Sequence, residues 1–167
     1  MPAGIICRMT EPIEVIVGNL LRQRGLRLAT AESCTGGLIG HLITNVPGAS
    51  TYFMGGIIAY AYDSKVRLLN VRWETMEKYG AVSKETALEM ARGARYALAA
   101  DIGVSVTGIA GPGGATPEKP VGLTWIALSA DHVDEAWQFN WSGNRLSIKQ
   151  QSAQSVLQML IEYLNGL

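Results

Sequence analysis

Apolar positions with a helical period open the chain's readable pattern. Ile13, Ile16, Val17, Leu20 and Leu21 share one face after Pro12, and Gly25 follows Arg24, so the spacing predicts a helix over 12–24. A short apolar run over 26–31 reads as a strand, and Leu38, Ile39, Leu42 and Ile43 mark a helix over 37–45, broken at Pro47-Gly48. Residues 51–60 are rich in β-formers, with 56–60 reading as a buried strand. Asp63 or Ser64 is then expected to cap a short helix bearing Val66, Leu68 and Leu69. The clearest helix is 84–99, capped by Ser83, with Ala87, Ala91, Ala94 and Leu98 in one stripe flanked by Leu88 and Met90. A strand over 101–107, a Gly/Pro loop over 108–120, and paired strands over 121–129 and 135–141 turning near Asp131 come next. A last helix over 144–164 carries Ala153, Val156, Leu157, Leu160, Ile161 and Leu164.

That order predicts one α/β domain spanning 1–167, a layered α/β/α arrangement with a mixed β-sheet flanked by helices, and residues 1–10 as a loose leader. At 167 residues the chain can bury a full core without staples. Charged residues are only 17%, which favours an extensive core or a subunit interface over a heavily solvated surface. Fourteen basic and 14 acidic residues cancel. Nucleic-acid binders carry a basic excess or stripe, so a polynucleotide partner is not expected, while a small charged ligand needs only one or two local cations. Cys7 and Cys34 allow at most one bridge, and His41 and His132 stand alone, so no metal site is expected. With no membrane-spanning run and no signal-peptide pattern, the expected compartment is the cytoplasm, without membrane association.

Three polar loops each follow a predicted strand, where sites of open α/β sheets gather. In Thr30-Ala31-Glu32-Ser33-Cys34-Thr35-Gly36-Gly37, free N–H groups at the following helix start can bind an anion or oxyanion, and Ser33 reads either as a presented hydroxyl or, like Thr35, as a helix cap. In Tyr60-Ala61-Tyr62-Asp63-Ser64-Lys65, Lys65 reads either as a surface lysine or as an amine kept neutral by burial and the helix dipole, able to take a proton from a serine. In Thr107-Gly108-Ile109-Ala110-Gly111-Pro112-Gly113-Gly114, the glycines suit either close approach to a ligand or a structural turn. Arg145, in Ser142-Gly143-Asn144-Arg145, can clamp a phosphate or simply begin an exposed helix. Cys34 is a rival nucleophile, though free cysteines are mostly inert and buried, and the four tryptophans read as packing residues.

Taken in order, these segments, with Gly80-Ala81-Val82-Ser83 and Thr116-Pro117-Glu118-Lys119-Pro120-Val121-Gly122, resemble the signature of the CinA C-terminal domain family over about residues 12–164. The family includes nicotinamide-nucleotide amidases, which hydrolyse the carboxamide of nicotinamide mononucleotide to nicotinate mononucleotide and ammonia in pyridine-nucleotide recycling. The resemblance implies Ser33 as nucleophile, Lys65 as general base and Tyr60 as their assistant. It implies ligand contacts at Thr35, Gly36, Gly37, Thr107, Gly108, Gly111 and Arg145, no cofactor, a metal-independent reaction, a nucleotide substrate and a homo-oligomer. It equally implies relatives that only bind or sense a nucleotide, and the family's name points to competence and DNA damage, for which the neutral charge gives no support. Asn144 stands where family members often carry Asp. Many members are fused to a larger N-terminal domain, for which 167 residues leave no room, so the stand-alone form is expected.

Overall fold

The computed structural model describes residues 11–167. The loose leader predicted over 1–10, with Cys7, lies outside the described residues. The elements are α1 (Ile13–Arg24), β1 (Leu28–Glu32), α2 (Leu38–Thr44), β2 (Phe53–Ile58), α3 (Tyr62–Leu69), α4 (Trp73–Tyr79), α5 (Lys84–Ala97), β3 (Ile102–Gly108), β4 (Leu123–Ala130), β5 (Val133–Asn140) and α6 (Arg145–Gly166). The five strands form one mixed sheet in the order β2-β1-β3-β4-β5. β2, β1 and β3 run parallel, and β4 and β5 add antiparallel. The expected α/β architecture is the observed one.

Alternation along the strands decides what covers each face. On one face Leu28, Ile102, Val104, Val106, Ile126 and Leu128 meet the apolar stripes of α1, α2 and α6 (Val17, Leu21, Ile39, Val156, Leu160). The other face is built small, with Ala29, Ala31 and Ala127 beneath Ala87, Ala91 and Ala94 of α5. Small residues on both surfaces let α5 lie close to the sheet, where the Ser105 hydroxyl donates to the Ala87 carbonyl at 2.6 Å. The same closeness recurs between α5 and α3: a Cβ on Gly93 would stand 2.0 Å from the Leu69 carbonyl oxygen. Gly93→Ala therefore has to push α3 away, and it is expected to lower stability by about 1–3 kcal/mol as an overpacked contact. A urea titration read by circular dichroism checks this, and an unchanged midpoint would mean that the two helices are free to separate.

Four details depart from the sequence reading. The strand read as buried over 56–60 is β2, shifted to Phe53–Ile58 and lying at the sheet edge, so Ile58 is 53% exposed. An apolar run shows β-propensity but not whether a second neighbour exists. The helix expected to be capped by Asp63 or Ser64 starts earlier, at Tyr62 after Ala61, with no side-chain cap. α4 was not anticipated, because its seven residues bury only Thr75 and Met76, too short a stripe to show a period. Trp73 at its start is 43% exposed rather than packed, unlike Trp137 and Trp141, which pack against the main core. Ser83 caps α5 as expected, its hydroxyl accepting from the Thr86 N–H, and Asn144 caps α6 through the Ser147 N–H. Asp and Asn both serve as N-caps, so the family's Asp and this chain's Asn144 can fill the same place. No described helix is long and apolar enough to cross a membrane.

Candidate active site

The three parallel strands end on the same edge of the sheet, and that edge carries the candidate chemistry. β1 delivers Ser33, whose N–H donates to the Val106 carbonyl of the neighbouring β3 at 3.0 Å. The chain leaving β2 turns through Ala59 and Tyr60 into α3, which delivers Lys65. β3 delivers Thr107 and Gly108 and leads into the glycine loop. Ser33, Cys34, Tyr60, Lys65, Thr107, Gly108, Gly111 and Arg145 are among the residues lining one cleft of about 250 Å³. A roomier groove of about 430 Å³ between β5 and α6, lined by Trp137, Phe139, Met159 and Tyr163, also holds Ser155, Glu135 and Glu162, but no hydrogen bond joins that hydroxyl to either carboxylate. Chemistry, not volume, picks out the smaller cleft.

Lys65 is 1% exposed, so it is not a surface lysine. Its Nζ lies 2.9 Å from Ser33 Oγ, 2.8 Å from the Ala59 carbonyl oxygen and 3.2 Å from the Tyr60 carbonyl oxygen. An ammonium can donate to all three. A neutral amine donates to the two carbonyls and turns its lone pair to the Ser33 hydroxyl, which then donates to it. The two protonation states thus differ at the Ser33 contact alone, and there by the direction of one hydrogen bond. Burial lowers the amine from its ordinary value of 10.5 to about 8. The Cys34 thiol goes the other way: desolvation pushes it up to about 12, which leaves almost no thiolate near neutrality.

Other expected site residues sit differently. Tyr60 meets Lys65 through its backbone carbonyl. Its hydroxyl instead accepts from Arg145 Nη2 at 2.8 Å, and the ring is 58% exposed, so this phenol touches neither Ser33 nor Lys65. Arg145 places its other nitrogen, Nη1, 2.7 Å from the Gly111 carbonyl oxygen, and it makes no ion pair among the described residues. The Thr107 hydroxyl donates to the Ala81 carbonyl at 2.8 Å, so its proton is committed inside the fold.

Thr35, Gly36 and Gly37 do not join this cleft and line a separate depression with His41 and Lys149. The N–H groups expected to bind a ligand there are occupied by the Glu32 carboxylate, which accepts from Gly37 N at 3.0 Å, Ile39 N at 3.1 Å and Gly40 N at 2.9 Å. The Thr35 hydroxyl donates to it too, at 2.6 Å. Glu32 is the residue that sequence reasoning passed over. Its signal was a lone acidic residue inside a strand end otherwise apolar and small. Gly36 N–H turns back to the Ser33 carbonyl, whereas the N–H groups of Cys34 and Thr35 donate to no backbone carbonyl.

Fold and site together define a three-layer α/β protein with a buried serine–lysine pair at the carboxyl ends of its parallel strands. The chain belongs to the CinA C-terminal domain family, whose family model matches residues 10–164. It is 50% identical over 147 residues to a CinA-like protein of Kosmotoga olearia, covering 88% of this chain and 36% of that one. With a CinA-like protein of Thermotoga maritima it shares 47% over 156 residues, 93% of this chain and 38% of the relative. The chain thus spans little more than a third of these curated relatives. Two solved structures match nearly end to end. A competence/damage inducible protein from Agrobacterium tumefaciens superposes with TM-score 0.86 at 38% identity, covering 99% of each chain. A competence-damaged protein (CinA) superfamily protein from Klebsiella pneumoniae gives TM-score 0.90 at 29% identity, covering 93% of this chain and 97% of that one.

Proposed function

We propose that this domain is a nicotinamide-nucleotide amidase, hydrolysing the carboxamide of nicotinamide mononucleotide with Ser33 as nucleophile and Lys65 as general base. The observation that carries the reading is the 2.9 Å contact between Ser33 Oγ and a buried Lys65 whose amine loses its proton near pH 8. A serine hydroxyl is a weak nucleophile until a base within hydrogen-bond reach takes its proton. The serine–lysine pairing does this without histidine.

In the acylation step Ser33 Oγ attacks the carboxamide carbon and its proton passes to Lys65 Nζ. The N–H group of Cys34, which lines the cleft and donates to no backbone carbonyl, is a backbone donor for the oxyanion. The C–N bond then breaks, Lys65 returns the proton to the leaving nitrogen, and ammonia departs. Water attacks the acyl ester while Lys65 takes its proton. Lys65 gives that proton to Ser33 Oγ as the ester bond breaks, releasing the carboxylate product.

Arg145, at the cleft and without a carboxylate partner among the described residues, exchanges its neutral partners, Gly111 O and Tyr60 Oη, for the substrate phosphate in this reading. Tyr60 assists the pair through a backbone carbonyl that steers the amine, while its hydroxyl meets Arg145. Incubating the purified protein with nicotinamide mononucleotide is expected to release ammonia and nicotinate mononucleotide in equal amounts. Saturable binding of the nucleotide with no ammonia would replace this reading with that of a nucleotide-binding family member.

A further inference from the structure

The residue before the nucleophile holds a position that the proposed mechanism does not use. Glu32 is 1% exposed, and its carboxylate faces four donors: the Thr35 hydroxyl and the N–H groups of Gly37, Ile39 and Gly40. Three of these converge on Oε2 and the fourth on Oε1. A carboxylate accepts at both oxygens and donates at neither, which is what this donor set requires. Three amides at the start of α2 are thus closed by the protein's own anion, and the fourth, Leu38 N–H, donates to the Thr35 carbonyl. Gly36 and Gly37 make that closure possible. Their φ values of +62° and +99° turn the chain back on Glu32, and a Cβ on Gly37 would meet Ile58 Cδ1 at 3.0 Å. Ser33 lies inside this loop. It is anchored on the strand side by its N–H on Val106 and on the turn side by the Gly36 N–H on its own carbonyl.

We infer that Glu32 is a positioning residue. Its carboxylate cage fixes the 33–37 turn so that Ser33 Oγ stays in line with Lys65 Nζ. Thr35, Gly36 and Gly37 serve that cage rather than the ligand. Resting on the serine–lysine reading above, the inference assigns to the signature's polar and glycine residues an action on the nucleophile. The expected consequence is selective. A loosened turn slows attack by Ser33 and leaves substrate affinity nearly unchanged, because neither Glu32 nor any of its four donors lines the cleft.

The test uses a small fluorophosphonate ester as a probe of Ser33 itself. Ser33 Oγ attacks phosphorus, fluoride leaves, and the proton goes to Lys65. Wild-type protein is expected to be labelled at Ser33, and Ser33→Ala to remain unlabelled. Glu32→Gln keeps the shape but presents an amide NH2 to donor groups. It is expected to label about 100-fold more slowly, the scale of a misplacement near 1 Å, with KM for nicotinamide mononucleotide within about threefold of wild type. Thr35→Val removes one donor and keeps the fold if Glu32→Gln does not, and it is expected to slow labelling on the order of tenfold. Circular dichroism melts establish the folded state of each variant. Labelling of either folded variant at the wild-type rate, or a rise in KM that accounts for the whole loss, overturns the positioning role while leaving the serine–lysine pair in place. Absence of labelling in the wild type overturns the pair and the inference with it.

Discussion

Ser33→Ala is expected to lower kcat for carboxamide hydrolysis by about 10⁴-fold or more while leaving the melting temperature close to that of wild type. Ser33 Oγ is the atom that forms the acyl bond, and among the described residues no other hydroxyl lining the cleft is paired with a base: Thr107 has its proton on the Ala81 carbonyl, Tyr60 faces Arg145, and the Tyr62 hydroxyl has no hydrogen bond to a base. The side chain is small and contributes little to the core, so the loss is expected in turnover and not in folding. Rapid-quench mass spectrometry adds the sharper readout, since wild type accumulates an acyl adduct on Ser33 and the variant none. Cys34 stands next in the chain, and its thiol is pushed up to about 12 by burial. An enzyme silenced by Cys34→Ala and active as Ser33→Ala would transfer the nucleophile's role to the thiol.

How far the sequence reached depends on the kind of signal. α5 was legible because Ser83 provides a cap and Ala87, Ala91 and Ala94 repeat with the helical period, all buried against the sheet. The β4–β5 hairpin was legible because a largely apolar run and an alternating one, with Ala136, Trp137 and Phe139, flank Asp131-His132, the two residues that stand between the strands. β2 was misread because an edge and a centre differ in what lies beside the strand, and that is a property of topology. α4 was invisible because two buried positions do not make a period.

At the site the difference is sharper. The sequence proposes Ser33 and Lys65, 32 residues apart, but their contact exists only because β1 and β2 run parallel and release their chains at one edge. Fold class therefore carries that prediction. Residue type leaves the role open where one group can serve two ends. The glycines and threonine after Ser33 looked like a ligand cradle because free N–H groups at a helix start attract anions. In the structure three such N–H groups, those of Gly37, Ile39 and Gly40, go to Glu32, an anion already in the chain. Tyr60, expected to assist the pair, reaches the lysine through its backbone carbonyl, a contact that residue type does not announce.

Lys65→Met is expected to match Ser33→Ala in its effect on kcat and to differ from it in the pH dependence of stability. In the wild type, kcat/KM should rise about tenfold per pH unit below 8 and level off above it, since only the neutral amine accepts the Ser33 proton and only about a tenth of it is neutral at pH 7. The sign for stability follows from the same shift. Lys65 binds its proton more weakly folded than unfolded, so between about 8 and its ordinary 10.5 the unfolded chain carries more protons and stability rises with pH. Lowering the amine from 10.5 to about 8 is worth about 3 kcal/mol at 1.36 kcal/mol per unit, a cost present in full below pH 8 and gone above pH 10.5. Lys65→Met lacks the titrating group, so the stability difference between wild type and variant should shift by about that amount between pH 7 and pH 10.5. Denaturant titrations at both pH values measure it, alongside the rate profile. A wild-type rate that is flat from pH 6 to 9, with parallel stability curves for the two proteins, would mean that Lys65 keeps its proton throughout. The Ser33 hydroxyl would then need another base, and among the described residues only Lys65 is hydrogen-bonded to it.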